Sequence, residues 1–346
     1  MRRNWQLLLG LGIVAVLLWW LFRDLDPARV WNEIRSANVA LLLLTTVVTM
    51  GAFFTRAVRW RFFLAPVHPD SPLGSRFAGV CVGFMLNNLL PSGRVGELGR
   101  AYAYSRLEPV SLSTAVATLV VERLLDGVAI LVLLVLAITG PGFPAETLPA
   151  ELVASIRLVT VFLGIVLAAV VLLVAFPGPA VRICGRVAGR LLPDRLGTGV
   201  VGVISGVVDG LASMRGWRHM LPALLWSFVV WTVQSLSFWI GFLAFNIDLP
   251  FAAAVVTNAA IAVAVTLPAA PGYLGTFQIG ASLALVEIYG AGDEQALGFA
   301  LGWHLVNFIP ITLAGLWYTR RLGISLSDFR DRRGEGKDAA GPGSSR

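Results

Sequence analysis

The stretch NNLLPSGRVGELGRAY, Asn87 to Tyr102, breaks a long apolar run with Leu-Pro, three glycines and the charges Arg94, Glu97 and Arg100. Pro91 removes a backbone N–H and collides with the turn before it, so one continuous membrane helix cannot pass through this point. A second stretch, VTLPAAPGYLGTFQIG from Val265 to Gly280, breaks in the same way. Both carry Leu-Pro and then Gly-x-[Val/Leu]-Gly-x-[Leu/Phe], as Gly93 to Leu98 and as Gly272 to Phe277. Downstream, Arg123-x-x-Asp126 has a polar counterpart in His304-x-x-Asn307. The chain therefore reads as an internal repeat whose halves each contain one broken segment.

Composition sets the solvent of this repeat. Of 346 residues, 57% are hydrophobic and 14% charged, against roughly 25% charged in an ordinary soluble domain. A soluble cytosolic enzyme is excluded, and apolar runs such as LLLGLGIVAVLLWWLF exclude a nucleic-acid binder despite the net charge of +7. About 20 apolar residues cross the hydrocarbon as a helix. Spans are expected from the N-terminus to Phe22, over Val39–Leu64, and over 110–139, 152–176, 219–245 and 296–319. The fold class is an all-α polytopic membrane protein with about six spanning helices plus two broken or re-entrant segments. Residues 1–320 form the transmembrane domain, and 321–346 a disordered cytoplasmic tail rich in Gly and Ser.

Loop charge orients the spans. The loop 177–218 holds six Arg and the tail from Arg320 seven basic residues, whereas 141–151, 246–250 and 290–295 hold no Lys or Arg. Basic loops stay in the cytoplasm, which places both termini inside a plasma membrane. The segment 23–38 is mixed, with Arg23, Arg29 and Arg35. Three crossings separate the two broken segments, so the second unit is inverted relative to the first. Inverted repeats with broken helices at their centre are a transporter architecture, and irregular backbone at membrane depth lies against protein or a wet cavity.

One set of charges is not in loops. Arg94, Glu97 and Arg100 flank the first break, and Glu122, Arg123 and Asp126 lie inside the span 110–139. Six unpaired charges at the bilayer centre would cost roughly 15–20 kcal/mol at 2.5–3.5 kcal/mol each, more than the 5–15 kcal/mol that keeps a fold together. They must pair or meet water. Glu97 stands three residues from both Arg94 and Arg100. Glu122 and Asp126 are like charges at i, i+4 and need a cation between them; Arg94 or Arg100 is the obvious donor, while Arg123 projects about 100° away. Two readings stay open: a self-neutralised lock between the broken segment and the next helix, or a site for a polar, anionic group. Helix N-termini after Gly93 and Gly272 would offer free N–H groups to an anion, and Arg forks suit phosphate.

Other features carry less. His304 and Asn307 read as helix–helix hydrogen bonding, Tyr102, Tyr104 and Trp residues including Trp303 and Trp317 as interfacial anchors. Cys81 and Cys184 imply no disulfide framework, and no metal or cofactor site is expected. A helix over 196–216 is expected at the cytoplasmic face.

The motifs NNLLPSGRVGELGRAY, VVERLLDG at 120–127 and LPAAPGYLGTFQ at 267–278 together resemble the lysylphosphatidylglycerol synthase transmembrane-region family, across about residues 5–320. The resemblance implies a flippase-like domain handling lipids with polar headgroups, phospholipid or polyprenyl-phosphate-linked. By motif position it implies binding roles for Arg94, Glu97, Arg100, Glu122, Arg123 and Asp126. It implies a cavity backbone of Asn88, Pro91, Gly93, Gly96, Pro271, Gly272 and Gly275 with Gln278, where many relatives carry Glu. The aminoacyltransferase domain of the larger members is not in this sequence. The expected function is a transporter that flips or scrambles a phosphate-bearing lipid through a cavity at the repeat interface, not an enzyme. The alternatives are an ion-coupled small-anion transporter or a membrane component of a lipid-synthesising or lipid-modifying enzyme.

Overall fold

The computed structural model describes residues 26–90, 95–175, 217–267 and 271–324, and all regular structure in them is helical. The first expected span, the 196–216 helix, the arginine-rich loop up to residue 216 and the tail beyond residue 324 lie outside the described residues.

The described chain begins with α1, Pro27–Ser36, which Asp26 starts by accepting a bond from the Ala28 N–H at 2.8 Å. The first described span, α2, runs Val39–Leu64 with Asn38 capping Leu41. Its 26 residues extend about 39 Å, enough to cross a bilayer core of about 30 Å. Its faces differ sharply. Val39, Leu43 and Val47 are exposed, while Thr45, Thr49, Ala52, Arg56 and Arg59 form one buried stripe.

The first broken segment is a hairpin of α3, Leu73–Leu89, and α4, Val95–Leu107. At about 25 Å and 20 Å, neither arm crosses the core alone. The arms are antiparallel and meet backbone to backbone at glycines: a Cβ on Gly96 would lie 2.2 Å from the Gly83 carbonyl oxygen, and one on Gly79 3.1 Å from that of Arg100. The chain enters and returns on one face. Helix α5, Leu112–Thr139, then crosses, capped by Ser111, followed by α6, Ala150–Ala175.

The second half repeats the plan. A span, α7, runs Trp217–Ala244. A second hairpin follows, with α8 at Phe251–Ala264, a 3-10 turn at Pro271–Tyr273, and α9 at Thr276–Ser282 continuing as a π-helical stretch, Leu283–Ile288. Gly280 lets its arms close, since a Cβ there would meet the Ile261 Cα at 2.8 Å. The last span, α10, is Asp293–Arg321. Val39–Leu64, His219–Ala244 and Asp293–Arg321 are long and apolar enough to cross a membrane; α5 is as long but carries Glu122, Arg123 and Asp126.

The halves interlock in opposite directions. Helices α2 and α7 run antiparallel, joined from the Asn38 N–H to the Ala244 carbonyl at 2.8 Å, through Thr49 and Ser237 at 2.7 Å, to Arg59 and Ser227 at 2.9 Å. Helices α3 and α10 are also antiparallel, from Phe77 beside Tyr318 to Asn88 Nδ2 donating to Thr312 Oγ1 at 2.8 Å. The hairpin tips meet: Gly272 has a positive φ of 68°, and a Cβ there would lie 3.4 Å from the Asn88 carbonyl oxygen.

One face of the bundle gathers the loops without Lys or Arg. Gln295 donates to the carbonyls of Phe245 and Asn246, Gly142 abuts Pro250, and Phe143 meets Tyr289 edge-on. The mixed segment also belongs here, since α1 crosses the start of α10, with Glu33 against Gly298 and Arg29 3.8 Å from Glu294.

Candidate functional site

Beneath the first tip, α2, α4 and α5 bring their charges together against the neutral Ser227 and Trp231 of α7. Glu122 is fully buried on α5 and takes the Arg100 fork in two bonds, Nη1 at 2.7 Å and Nη2 at 3.0 Å. Arg59 Nη2 reaches the same carboxylate at 2.7 Å. One turn on, Asp126 accepts from Arg59 Nη1 and from Trp231 Nε1, the latter at 2.9 Å. Arg59 thus stands between the two like charges. Arg100 lies flat on the Trp60 ring, 4.0 Å from its centroid, and Trp60 is held by its Nε1 donating to Thr118. Parallel forks of this kind are the strong form of a buried ion pair, and the remaining bonds are met by Trp231, which donates to Asp126, and by Ser227, which accepts from Arg59 Nη1.

The remaining charges are held more loosely. Arg123 Nε meets Glu97 at 3.0 Å, and these side chains are 45% and 33% exposed, so they form an open rim over the closed floor. Arg123 also approaches Asp126 at 3.5 Å. Arg56 is buried, 5.6 Å over Phe84 and 5.7 Å over Trp231. Its nearest carboxylate oxygen, Asp126 Oδ2, is 3.8 Å away. Among the described residues Arg56 makes no hydrogen bond, and its Nε is buried without a partner. Arg56, Arg59, Arg100 and Arg123 set four positive charges against the three of Glu97, Glu122 and Asp126. The described site carries one cation in excess.

This arrangement corrects several expectations. Of the six charges expected at the site, five meet as a cluster; Arg94, with Pro91 and Gly93, lies outside the described residues. Among the described residues the cation between Glu122 and Asp126 is Arg59, while Arg100 binds Glu122 alone. Glu97 pairs with Arg123 across to α5. Arg56 and Arg59, not among the expected site residues, join the cluster from inside α2.

The expected free N–H groups are partly taken. Helix α4 starts at Val95, and the Gly96 N–H donates to Asn87 Oδ1 at 2.9 Å. In the second half the helix begins three residues later than expected, at Thr276, because Gly272, Tyr273 and Gly275 all take positive φ. There Gln278 is buried, and its Oε1 accepts from the Gly275 N–H at 2.8 Å. Pro271 opens the 3-10 turn at this tip. Asn88 serves as a tip-to-span clamp through Thr312.

His304 and Asn307 do hydrogen-bond within the bundle, to Gln278 and to the Trp303 carbonyl. Tyr104 and Trp303 are core residues rather than interfacial anchors: Tyr104 bonds Ser71 at 2.6 Å and packs on Trp60, and Trp303 donates to Ser237. Trp317 is exposed. No group of three metal-ligating side chains occurs among the described residues.

Comparison with known proteins places this geometry in a lineage. Residues 7–315 match the family described as Lysylphosphatidylglycerol synthase TM region. A UPF0104 membrane protein of Pyrococcus horikoshii is 23% identical, with 94% of this chain and all of that protein aligned. A UPF0104 membrane protein of Methanothermobacter thermautotrophicus is 22% identical over 91% of this chain and 92% of its own length. The protein named glycosyltransferase AglD of Haloferax volcanii is 26% identical over 95% of this chain, which covers 56% of that protein.

Proposed function

Because the chain belongs to the Lysylphosphatidylglycerol synthase TM region family, we propose that this membrane protein moves a lipid with an anionic, phosphate-bearing headgroup across the bilayer. The observation that carries this reading is the excess cation: four guanidiniums face three carboxylates, and Arg56 makes no hydrogen bond among the described residues. A buried surplus of positive charge is costly unless an anion offsets it. Guanidinium forks match the paired oxygens of phosphate. The headgroup enters at the open rim of Arg123 and Glu97, and the lipid tail stays in the bilayer beside the bundle. With the basic loops in the cytoplasm, the site opens first to the inner side of a plasma membrane. The chain has no nucleotide-binding motif, so an ion gradient or a downstream sink drives any net movement.

The test is headgroup translocation in proteoliposomes with a fluorescent phospholipid and a polyprenyl-phosphate lipid. Arg123→Gln is expected to lower the rate at least about tenfold, the equivalent of one lost charge-assisted contact of roughly 1.4 kcal/mol, without loss of the folded helical signal. An unchanged rate removes the lipid site from this cluster.

A second reading draws on the glycosyltransferase AglD alignment, in which this chain corresponds to only part of the larger protein. There the chain is a membrane component beside an enzyme that builds a lipid-linked product. Turnover of labelled lipid by the purified chain alone would separate an enzyme from both.

A further inference from the structure

The second re-entrant tip is held by a clip whose protonation can be read atom by atom. The Gly275 N–H points at Gln278 Oε1 at 2.8 Å. An N–H requires an acceptor, so the amide oxygen faces Gly275 and the amide NH2 faces away from it. That NH2 lies 3.3 Å from His304 Nδ1. An amide NH2 only donates, so Nδ1 is the bare, accepting nitrogen and the ring proton sits on Nε2. The ring also lies against the Gly272 backbone and stacks on Phe277 at 4.3 Å. One imidazole on α10 thus ties both ends of the turn Gly272–Gly275. That turn is unusual backbone, with φ of 68°, 59° and 88° at Gly272, Tyr273 and Gly275. A tyrosine in the left-handed region persists where its surroundings over-determine it.

We infer that His304 is a proton-binding site that couples protonation to release of the second re-entrant tip. A proton taken by the Nδ1 lone pair makes both ring nitrogens donors, so the Gln278 NH2 and the ring repel. Gln278 cannot turn its oxygen to the ring without setting its NH2 against the Gly275 N–H. Either movement undoes the cap, and the tip leaves α10. The groups facing the ring are neutral: Phe277 and Gln278 from α9, the Gly272 backbone, and Phe308 on α10. Asn88 of α3 and Thr45 of α2, which reach this part of α10 through Thr312 and Asn307, are neutral as well. No carboxylate or cation among the described residues faces it, so the proton has no counter-charge while the tip is closed. At the first tip the Gly96 N–H is capped by Asn87, with no histidine hydrogen-bonded to that amide among the described residues. This inference does not depend on what the tips admit.

The test uses the full chain in nanodiscs with Cys81→Ala and Cys184→Ala, spin-labelled at Leu89→Cys and Leu274→Cys, two exposed positions near the two tips. Electron–electron distance measurements run from about pH 8 to about pH 5, the range in which histidine changes charge. A longer tip-to-tip population is expected to rise about tenfold as the pH falls. His304→Gln preserves a hydrogen-bonding side chain without titrating and is expected to hold the short distance throughout, whereas Gln278→Leu is expected to show the long population at every pH. His68→Gln is expected to titrate as the parent does. A parent without pH dependence, or a His304→Gln variant that keeps it, overturns the inference. Translocation lost in Arg123→Gln while the tips still titrate is the result expected if lipid binding and proton response are separate.

Discussion

Asp126→Asn tests the charge arithmetic of the cluster most sharply. Asp126 accepts from Arg59 and Trp231 and lies 3.8 Å from Arg56 and 3.5 Å from Arg123. At 3.8 Å two unit charges attract by about 4 kcal/mol at an effective dielectric of about 20, before desolvation is subtracted. The asparagine retains an acceptor for Trp231 but removes the charge, leaving four guanidiniums against Glu97 and Glu122. Removing one partner of a buried pair costs about 3–5 kcal/mol, a large share of the 5–15 kcal/mol that holds a typical fold. Arg56→Gln should behave oppositely. Arg56 has no hydrogen bond among the described residues and one distant carboxylate, and its loss removes the desolvation of a buried charge along with that weak attraction, so it is expected to cost less than about 1 kcal/mol. The double variant returns the described cluster from a surplus of two to a surplus of one, and should recover about half of the Asp126→Asn loss. Thermal unfolding in detergent, read by the helical signal and by retention of monodisperse protein, orders the four proteins. Equal losses for the two single variants, or a double variant less stable than Asp126→Asn, would refute this account of the pairing.

The fold makes two further predictions. Gly96→Ala sets a methyl 2.2 Å from the Gly83 carbonyl and 2.4 Å from Asn87 Oδ1, so the first hairpin must spread; a loss of about 3 kcal/mol or more is expected in the same unfolding assay, against less than about 0.5 kcal/mol for Gly51→Ala, where a Cβ meets open space. Asn88→Ala leaves Thr312 without its tip partner and is expected to cost about 1–3 kcal/mol, while Asn88→Ala with Thr312→Val should cost less than the sum of the two single changes. Additivity would mean that the bond does not join the tip to α10.

Much of the fold was legible because the membrane leaves few choices. Val39–Leu64 was read to the residue, and the spans ending at Thr139 and near Ala244 differ by two residues or fewer at those ends. The Leu-Pro breaks and their glycines located both hairpins, since only a tight reversal uses that chemistry. The site was half legible. Glu122 and Asp126 stand out as charges deep in an apolar helix, but Arg56 and Arg59 lie toward the end of Val39–Leu64, where basic residues ordinarily only orient a span. Their helical phase held the missing signal. Thr45, Thr49, Ala52, Arg56 and Arg59 recur at helical spacing on one face and are all buried, whereas Arg61 falls off that face and is exposed. Loop charge and buried charge look alike in composition and differ in phase. The Trp231 donor and the Ser227 acceptor left no signal of their own, because an isolated tryptophan or serine in a span reads as packing. The late start of α9 also went unseen, since a positive φ at Tyr273, between Gly272 and Gly275, is not something its residue type announces.

The claim at the centre is that the surplus guanidinium charge takes an anionic, phosphate-bearing headgroup. Native mass spectrometry of the chain purified with its membrane lipids addresses it most directly. The account predicts one phosphate-containing lipid retained per chain, lost from Arg56→Gln and Arg123→Gln but kept by Arg61→Gln, whose side chain lies off the cluster. Retention of the same lipid by all three variants, or a bound species without an anionic group, would contradict it.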